Sequence, residues 1–375
     1  MKILFNCLTT EKGGAERVIS VLANEFVKKD DVVILTLKRN TKDAYKFDEK
    51  IKRLYIDKTC YESDSGVKSI FRKLSPSRLL RLKRFIIDED PDIIISFLPE
   101  PSLRLMFASK FSSKIRKIPK IISIRNDPEK EYSNVLIKQA MKKFYRDVDG
   151  MVYQTEDAKK YFKGIIKTRN QVIIQNPIDE RFLIKPKDDK DRKDIIISVG
   201  RLESQKNHEL LIRAFGRMIE EEKNDYCLEI YGEGSRRQYL QEMINKMNLN
   251  NKVFLKGKTD DIVKKMNNSK IFVLSSRYEG MPNALMEAMA LGLPCISTDC
   301  PCGGPRSLTK NGENGILVKN GDKNALGRAI SDLINDDKMR KILSRNALKI
   351  RKDNDVNTIV EQWYTIINRV METKE

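Results

Sequence analysis

Lys270–Thr298 reads KIFVLSSRYEGMPNALMEAMALGLPCIST, and its changes of pattern decide the fold. The run KIFVLSS (270–276) is continuously apolar rather than alternating, as suits a strand covered on both faces. A Glu279-Gly280 turn follows. A helix is then predicted from about Pro282 or Asn283 to Gly292, because proline fits a first helical turn and glycine the residue past the last. A second apolar run, PCIST (294–298), comes almost at once. Strand, helix and strand in so short a stretch predict a βαβ unit of a parallel sheet.

Outward from this unit the same alternation covers the chain. Strand-like runs stand at 2–6, 32–37, 92–98, 120–124, 151–154, 171–175, 194–200, 226–232 and 252–257. Amphipathic stretches such as Glu16–Val27, His208–Ile219, Arg236–Met247 and Asn324–Ile334 lie between them. The pattern predicts a doubly wound α/β fold, twice over. Arg181–Asp194, ending in KPKDDKDRKD, reads as a solvated connector. One Rossmann-like domain is therefore expected over residues 1–178 and a second over 193–355. The last stretch, 356–375, carries the only tryptophan, Trp363, and is expected to be a helix packing back on the body.

Composition narrows the function. The 375 residues carry a formal net charge of +19 with only 7% aromatics. Residues 67–146 hold 19 Lys and Arg against 8 Asp and Glu, which favours an anionic partner. No apolar run approaches the length of a membrane span, and Met1–Leu8 is too short for a secretory leader, so a soluble cytoplasmic chain is expected. The six cysteines lack the paired spacing of a zinc site, and reduced thiols and no metal are expected. A single histidine, His208, excludes a Ser-His-Asp hydrolase unless that residue does everything.

Three loops at strand ends carry candidate chemistry. Gly13-Gly14 opens the first long helix, where free N–H groups and the helix dipole favour an anion such as a diphosphate; a plain glycine-rich turn is an equal reading of that motif alone. Arg201 and Lys206 share the connector after strand 194–200, so an arginine fork and a lysine point charge can meet one phosphate group. Glu279 stands at a strand end and Glu287 about two turns into the next helix. The N–H groups of Gly280, Met281, Pro282 and Asn283 (proline excepted) lie between two carboxylates able to bind sugar hydroxyls. Glu287 also admits a solvent-facing reading, against which stand its neighbours Ala284, Leu285, Ala288 and Met289.

GGAERV, GRLESQKNHELLIRAF and above all EGMPNALMEAMALGLPCIST, in that order, resemble the retaining glycosyltransferases of the GT4 group. The last segment is similar to that group's E-x7-E signature. The resemblance implies the GT-B fold, two Rossmann-like domains facing each other across a cleft, with a nucleotide-sugar donor held mainly by the C-terminal domain and no cofactor or metal. It implies that Arg201 and Lys206 contact the diphosphate, Glu279 the transferred sugar and Glu287 the ribose, with Lys258 in the loop that meets the base. One departure stands out. Many relatives carry a histidine after the strand corresponding to 120–124; here Arg125 takes its place, leaving Arg125 and Asp127 as candidate sugar or acceptor contacts.

The expectation is a retaining transferase moving a hexose or N-acetylhexosamine from a UDP-sugar to a lipid-linked or cell-surface glycan precursor. A nucleotide-sugar epimerase or hydrolase on the same fold is an alternative. A nucleic-acid-binding protein is another, prompted by charge alone; no RNA-binding or zinc-finger signature supports it, and no nucleic-acid partner is expected. The stretches 67–87 and 101–118 place Lys and Arg among Leu, Ile and Phe at helical spacing. An anionic membrane surface is therefore expected as a partner, with Arg81, Lys83 and Arg84 facing the headgroups at the inner face of the cytoplasmic membrane. Covering helices with solvated cations are the competing reading.

Overall fold

The computed structural model describes residues 1–11, 13–39, 43–57, 76–222 and 224–374. These form two units, Met1–Pro177 together with the residues from Val356 on, and Ile178–Asp355.

In the first unit β1 (Lys2–Cys7), β2 (Asp31–Thr36), β3 (Lys52–Tyr55), β4 (Ile93–Phe97), β5 (Lys120–Ser123), β6 (Gly150–Tyr153) and β7 (Gln171–Ile173) make one parallel sheet. Its order is β3-β2-β1-β4-β5-β6-β7. The continuous apolar runs follow from burial on both faces: Ile3 and Phe5 pack with Val18, Leu22 and Phe26 of the helix Gly14–Phe26. Leu4 points the other way, into a core with Leu82, Ile86 and Leu105. The terminal helix Val356–Glu372 belongs to this unit. Trp363 is fully buried with its ring 6.1 Å from that of Phe97. Tyr364 Oη donates to Asp30, and Lys374 Nζ reaches Asp149 at 2.7 Å.

The second unit contains β8 (Lys193–Val199), β9 (Cys227–Tyr231), β10 (Val253–Gly257), β11 (Ser269–Leu274), β12 (Cys295–Asp299) and β13 (Ile316–Lys319). They pair in parallel in the order β10-β9-β8-β11-β12-β13. Helix Asn283–Ala290 covers one face, where Ile197, Phe272 and Leu274 meet Leu285, Met286 and Met289. The helices His208–Glu221, Arg237–Lys246 and Lys323–Asn335 cover the other.

Two differences from the sequence reading have clear causes. Strand β3 (KRLY) carries no apolar run because it stands at a sheet edge and is only partly buried, and β13 (ILVK) is an apolar edge strand of only four residues. Arg181–Asp194 is not a free connector. Phe182 is fully buried against the second unit's core, and the buried Arg192 donates to the carbonyls of Lys187, Ser269 and Leu291. The second unit therefore starts at Ile178, not at 193. Composition hid this, because a single phenylalanine and one arginine anchor a segment that is otherwise charged.

The docking of the last helix gives a first expectation. Trp363→Ala should lower stability by about 3–5 kcal/mol, the usual cost of emptying an aromatic core position. Urea unfolding followed by far-UV circular dichroism checks it, and an unchanged midpoint would contradict this packing.

Candidate active site

In the second unit the strand order reverses between β8 and β11, and ligands of doubly wound sheets bind at the carboxyl ends of strands at such a point. Val199 leads into the loop Gly200–Asn207, and Leu274 leads into Ser275–Pro282. The two loops are stitched together. Ser275 Oγ donates to the carbonyls of Lys206 and Asn207 at 3.0 and 3.1 Å. The Arg277 N–H donates to the Gln205 carbonyl at 2.8 Å, and Gln205 Nε2 to the Tyr278 carbonyl at 3.1 Å. Asn207 thereby enters the helix from the left-handed region at φ 50°.

This stitching brings Lys206 onto Glu279, with Nζ 2.5 Å from Oε1. Ser276 Oγ donates to the same oxygen at 2.6 Å. The lysine side chain is 16% exposed and the glutamate 7%, so the pair is shielded, yet not sealed. The Lys206 stem lies over Gly200, where an added Cβ would fall about 3.2 Å from its methylenes. Arg201 is exposed and donates to Gln205 Oε1 at 3.3 Å.

The backbone around the pair is packed more tightly than side chains would allow. A Cβ on Gly304 would stand 1.6 Å from the Gly280 carbonyl oxygen, so the loop after β12 lies directly on the Glu279-Gly280 turn. Gly232 and Gly234, after β9, lie against the carbonyls of Gly200 and Leu202 in the same way. Met281 and Pro282 are buried, Asn283 half-buried, and Glu287 is 5% exposed within its helix. Lys258 is exposed just past Gly257, whose added Cβ would fall 2.9 Å from Glu233 Oε1. Thus Lys206, Glu279 and Gly280 gather at one strand-end site, and the helix carrying Glu287 starts from it. Gln205, Ser276, Gly232, Gly234 and Gly304 complete it without having been singled out from sequence. The available signal was a glycine just past each of several strands, at positions where only glycine admits the neighbouring backbone.

In the first unit the remaining candidates occupy different surroundings. Gly13 caps the helix Gly14–Phe26, and the Glu16 carboxylate folds back to within 2.1 Å of where a Cβ on Gly13 would lie. The chain's own carboxylate thus lies against that helix N-terminus. Arg125 and Asp127 follow β5 and are both buried. Arg125 donates to Ser123 Oγ at 3.3 Å and to Asn176 Oδ1; Asp127 Oδ1 accepts from the Glu129 N–H at 3.0 Å.

The helix Pro76–Glu89 buries Leu82 and Ile86. Arg81 donates to the Ile56 carbonyl at 2.7 Å and Lys83 to the Phe111 carbonyl at 2.9 Å, while exposed Arg84 lies 3.4 Å from Asp88. Two of the three cations expected at headgroups are therefore tied to the protein backbone. The first part of that stretch, 67–75, lies outside the described residues. The five described cysteines are free thiols, and among the described residues no three His, Cys, Asp or Glu side chains converge to hold a metal.

The chain matches known families over nearly its full length. Residues 12–182 match Glycosyltransferase Family 4, and residues 179–350 match Glycosyl transferases group 1. It is 30% identical over 343 residues to the N-acetylgalactosamine-N,N'-diacetylbacillosaminyl-diphospho-undecaprenol 4-alpha-N-acetylgalactosaminyltransferase of Campylobacter jejuni, covering 89% of this chain and 90% of that one. Among solved structures, TarM superposes with a TM-score of 0.80 at 16% identity over 98% of each chain. HepE of Anabaena, in complex with UDP, gives 0.77 at 17% identity over 98% of this chain and 100% of that one. Both structural likenesses speak for the fold. The chain belongs to the GT4-type glycosyltransferases of GT-B fold.

His208, first residue of the helix after the Lys206 loop, supplies a pH test of this region. Burial, aided by the Lys206 charge, lowers its pKa to about 4. The unfolded ring takes a proton near 6.5, so the unfolded state binds more protons as pH falls between these values, and stability should drop by roughly 3 kcal/mol over that interval. Melting temperatures measured down this range should fall less steeply in His208→Gln. Parallel profiles for the two proteins would refute the assignment.

Proposed function

We propose that this glycosyltransferase moves a hexose or N-acetylhexosamine from a UDP-sugar, with retention of configuration, to a lipid-linked or cell-surface glycan precursor. The Lys206–Glu279 pair at the switch point of the second sheet carries this reading. Lys206 is a shielded cation held by the Glu279 carboxylate, and with Arg201 on the same loop it provides two positive charges for a diphosphate. When the donor binds, Lys206 turns part of its hydrogen bonding to the diphosphate. Glu279, fixed by Ser276, is left to orient the sugar.

In this scheme the bond between the anomeric carbon and the diphosphate breaks as the bond to the acceptor oxygen forms on the same face. The acceptor proton leaves on a diphosphate oxygen, so no protein nucleophile is needed. Lys206 and Arg201 stabilise the charge growing on the leaving group, and Glu279 the positive character of the sugar ring. Glu287 binds the ribose hydroxyls and Lys258 borders the base. UDP in the HepE complex supports the nucleotide. The alpha-N-acetylgalactosaminyltransferase name and diphospho-undecaprenol acceptor of the Campylobacter relative support the sugar class, retention and acceptor class.

The acceptor class points to a membrane face, and we place it on different residues from those read off the sequence. No helix among the described residues is long and apolar enough to cross a bilayer. The helix Val135–Phe144 instead presents Val135, Leu136 and Ile137 to solvent, 67, 74 and 40% exposed, in a first turn fixed by Asn134. At the other end of that helix Phe144 meets Phe107, whose ring lies 4.9 Å from that of the exposed Phe111. Lys138, Lys142 and Lys143 on the same helix are exposed, as is Lys110, which lies 3.4 Å from Asp147. Exposed apolar side chains with lysines on the same helix match an anionic lipid surface, at about 1 kcal/mol for each cation near the headgroups.

Lys206→Ala and Glu279→Ala should each lower turnover by roughly two powers of ten or more, the scale of losing one preorganised electrostatic contact. Steady-state assays with UDP-sugars and a lipid-linked acceptor measure it; near-normal transfer by both variants would defeat the assignment. Consumption of donor without acceptor would favour the epimerase or hydrolase instead.

Vesicle flotation tests the surface. The chain should float with phosphatidylglycerol vesicles, less so at high salt, and Leu136→Asp with Ile137→Asp should abolish flotation more completely than Arg81→Glu, Lys83→Glu and Arg84→Glu together. Equal recovery with anionic and neutral vesicles would remove the membrane from the proposal.

A further inference from the structure

Among the described residues four arginines are buried: Arg78, Arg125, Arg192 and Arg340. Two have carboxylate partners, and a third has its donors met by carbonyls. Arg78 forks the Asp57 carboxylate at 2.8 and 2.5 Å. Arg340 meets Asp189 at 3.0 Å and Asp337 as well, and Arg192 takes three backbone carbonyls. Arg125, 7% exposed, has only the Ser123 hydroxyl and the Asn176 amide oxygen. Its Nε has no acceptor. The Asn176 oxygen is shared with Gln154 Nε2, at 2.6 Å.

A buried cation without an anion is costly, and proteins seldom leave one unpaired. Burial draws the Arg125 guanidinium down to about 9, so it is still protonated at neutral pH. The Phe97 ring, 5.8 Å away, returns part of the cost as a cation–π contact, but it supplies no hydrogen-bond acceptor. The carboxylates on the same loop do not fill the gap. Asp127 Oδ2 and Glu131 Oε2 are themselves buried without hydrogen bonds, and neither forms an ion pair with Arg125.

The position is informative too. Ser123 ends β5, Gln154 follows β6 and Phe97 ends β4, so Arg125 stands over the carboxyl ends of three adjacent parallel strands, the ligand-binding edge of such a sheet. The residue after Phe97, Leu98, is held at φ 68°, a strained backbone of the sort found at binding sites.

We propose that Arg125 recognises an anionic group, a carboxylate or a phosphate, on the sugar-containing ligand taken up by the first unit. This deepens the glycosyltransferase reading and rests on it for the ligand being a glycan. The planar guanidinium suits both groups, since each presents two oxygens to its N–H fork. A phosphate would belong to a phosphorylated acceptor, and a carboxylate to an acidic sugar.

Trp363, the only tryptophan, lies against Phe97 and serves as a fluorescent reporter. Inorganic phosphate, glucuronate and glucose are titrated into the full-length chain carrying Lys206→Ala, which weakens phosphate binding in the second unit. One of the anions should saturate the signal while glucose does not. Arg125→Gln should weaken that anion at least about tenfold, and Arg125→Lys should regain part of the loss, as expected when a charge-assisted contact is removed and partly restored. Tighter phosphate identifies a phosphorylated acceptor; tighter glucuronate identifies an acidic sugar. No saturable anion effect, or equal affinity in Arg125→Gln, overturns the proposal.

Melting temperature separates recognition from packing. Loss of an unanswered buried charge should leave Arg125→Gln as stable as its parent or more so. A fall of more than about 5 °C, the scale of a lost structural contact, would assign Arg125 to the core and overturn the proposal. The rise in melting temperature caused by UDP, read with Lys206 intact, tests donor binding alone, so failure of either idea is visible without the other.

Discussion

The second unit is organised around one shielded ion pair. Lys206 and Glu279 stand on loops 73 residues apart, and each is held by hydrogen-bonded neighbours. Ser275 fixes the lysine's backbone, Ser276 fixes the glutamate's oxygen, and Gln205 ties the two loops together. Glycines at 232, 234 and 304 let the surrounding backbone close in, and Gly200 leaves room for the Lys206 stem. A shielded pair of this kind contributes little net stability, because desolvation offsets most of the attraction, but removal of either partner strands a charge. Such an arrangement is better suited to exchanging partners than to holding a fold together.

The first unit shows a different treatment of charge. Arg78, Lys120 and Arg340 elsewhere in the chain show that this sequence readily gives buried cations carboxylate or carbonyl partners. Arg125 receives only neutral side chains. The contrast matters more than the burial itself, since the acids that follow in sequence, Asp127, Glu129 and Glu131, form no ion pair with the arginine. Charge density along the chain was a poor guide by comparison. In the described part of the basic stretch 67–146, residues 76–146, Lys and Arg are spread over several elements, and individual cations there are occupied by backbone carbonyls.

Much of the architecture was legible in the sequence because its causes are local. Strands buried on both faces must be continuously apolar, helices lying on them must be amphipathic, and prolines and glycines mark their ends. The βαβ unit at 270–298, the helices Gly14–Phe26 and His208–Glu221 and the placing of Glu279 at a strand end all follow from such signals. Edge strand β3 was not legible, because half-buried positions relax the requirement for apolar residues, and β13 was missed because its apolar run is only three residues long. Nor was the docking of 178–194, which depends on Phe182 and Arg192 finding sites far along the chain.

What the sequence determined by itself was the alternation of elements, the family to which the chain belongs and the residue types offered at each strand end. What only the tertiary structure decided was pairing: that Lys206 meets Glu279, that Arg125 meets no acid, and that Val135–Ile137 rather than Leu82 and Ile86 face solvent. The physical reason is range. Periodicity and backbone preference act over a few residues, whereas the partner of a charge and the cover of an apolar side chain are set by segments that meet only when the sheets have formed.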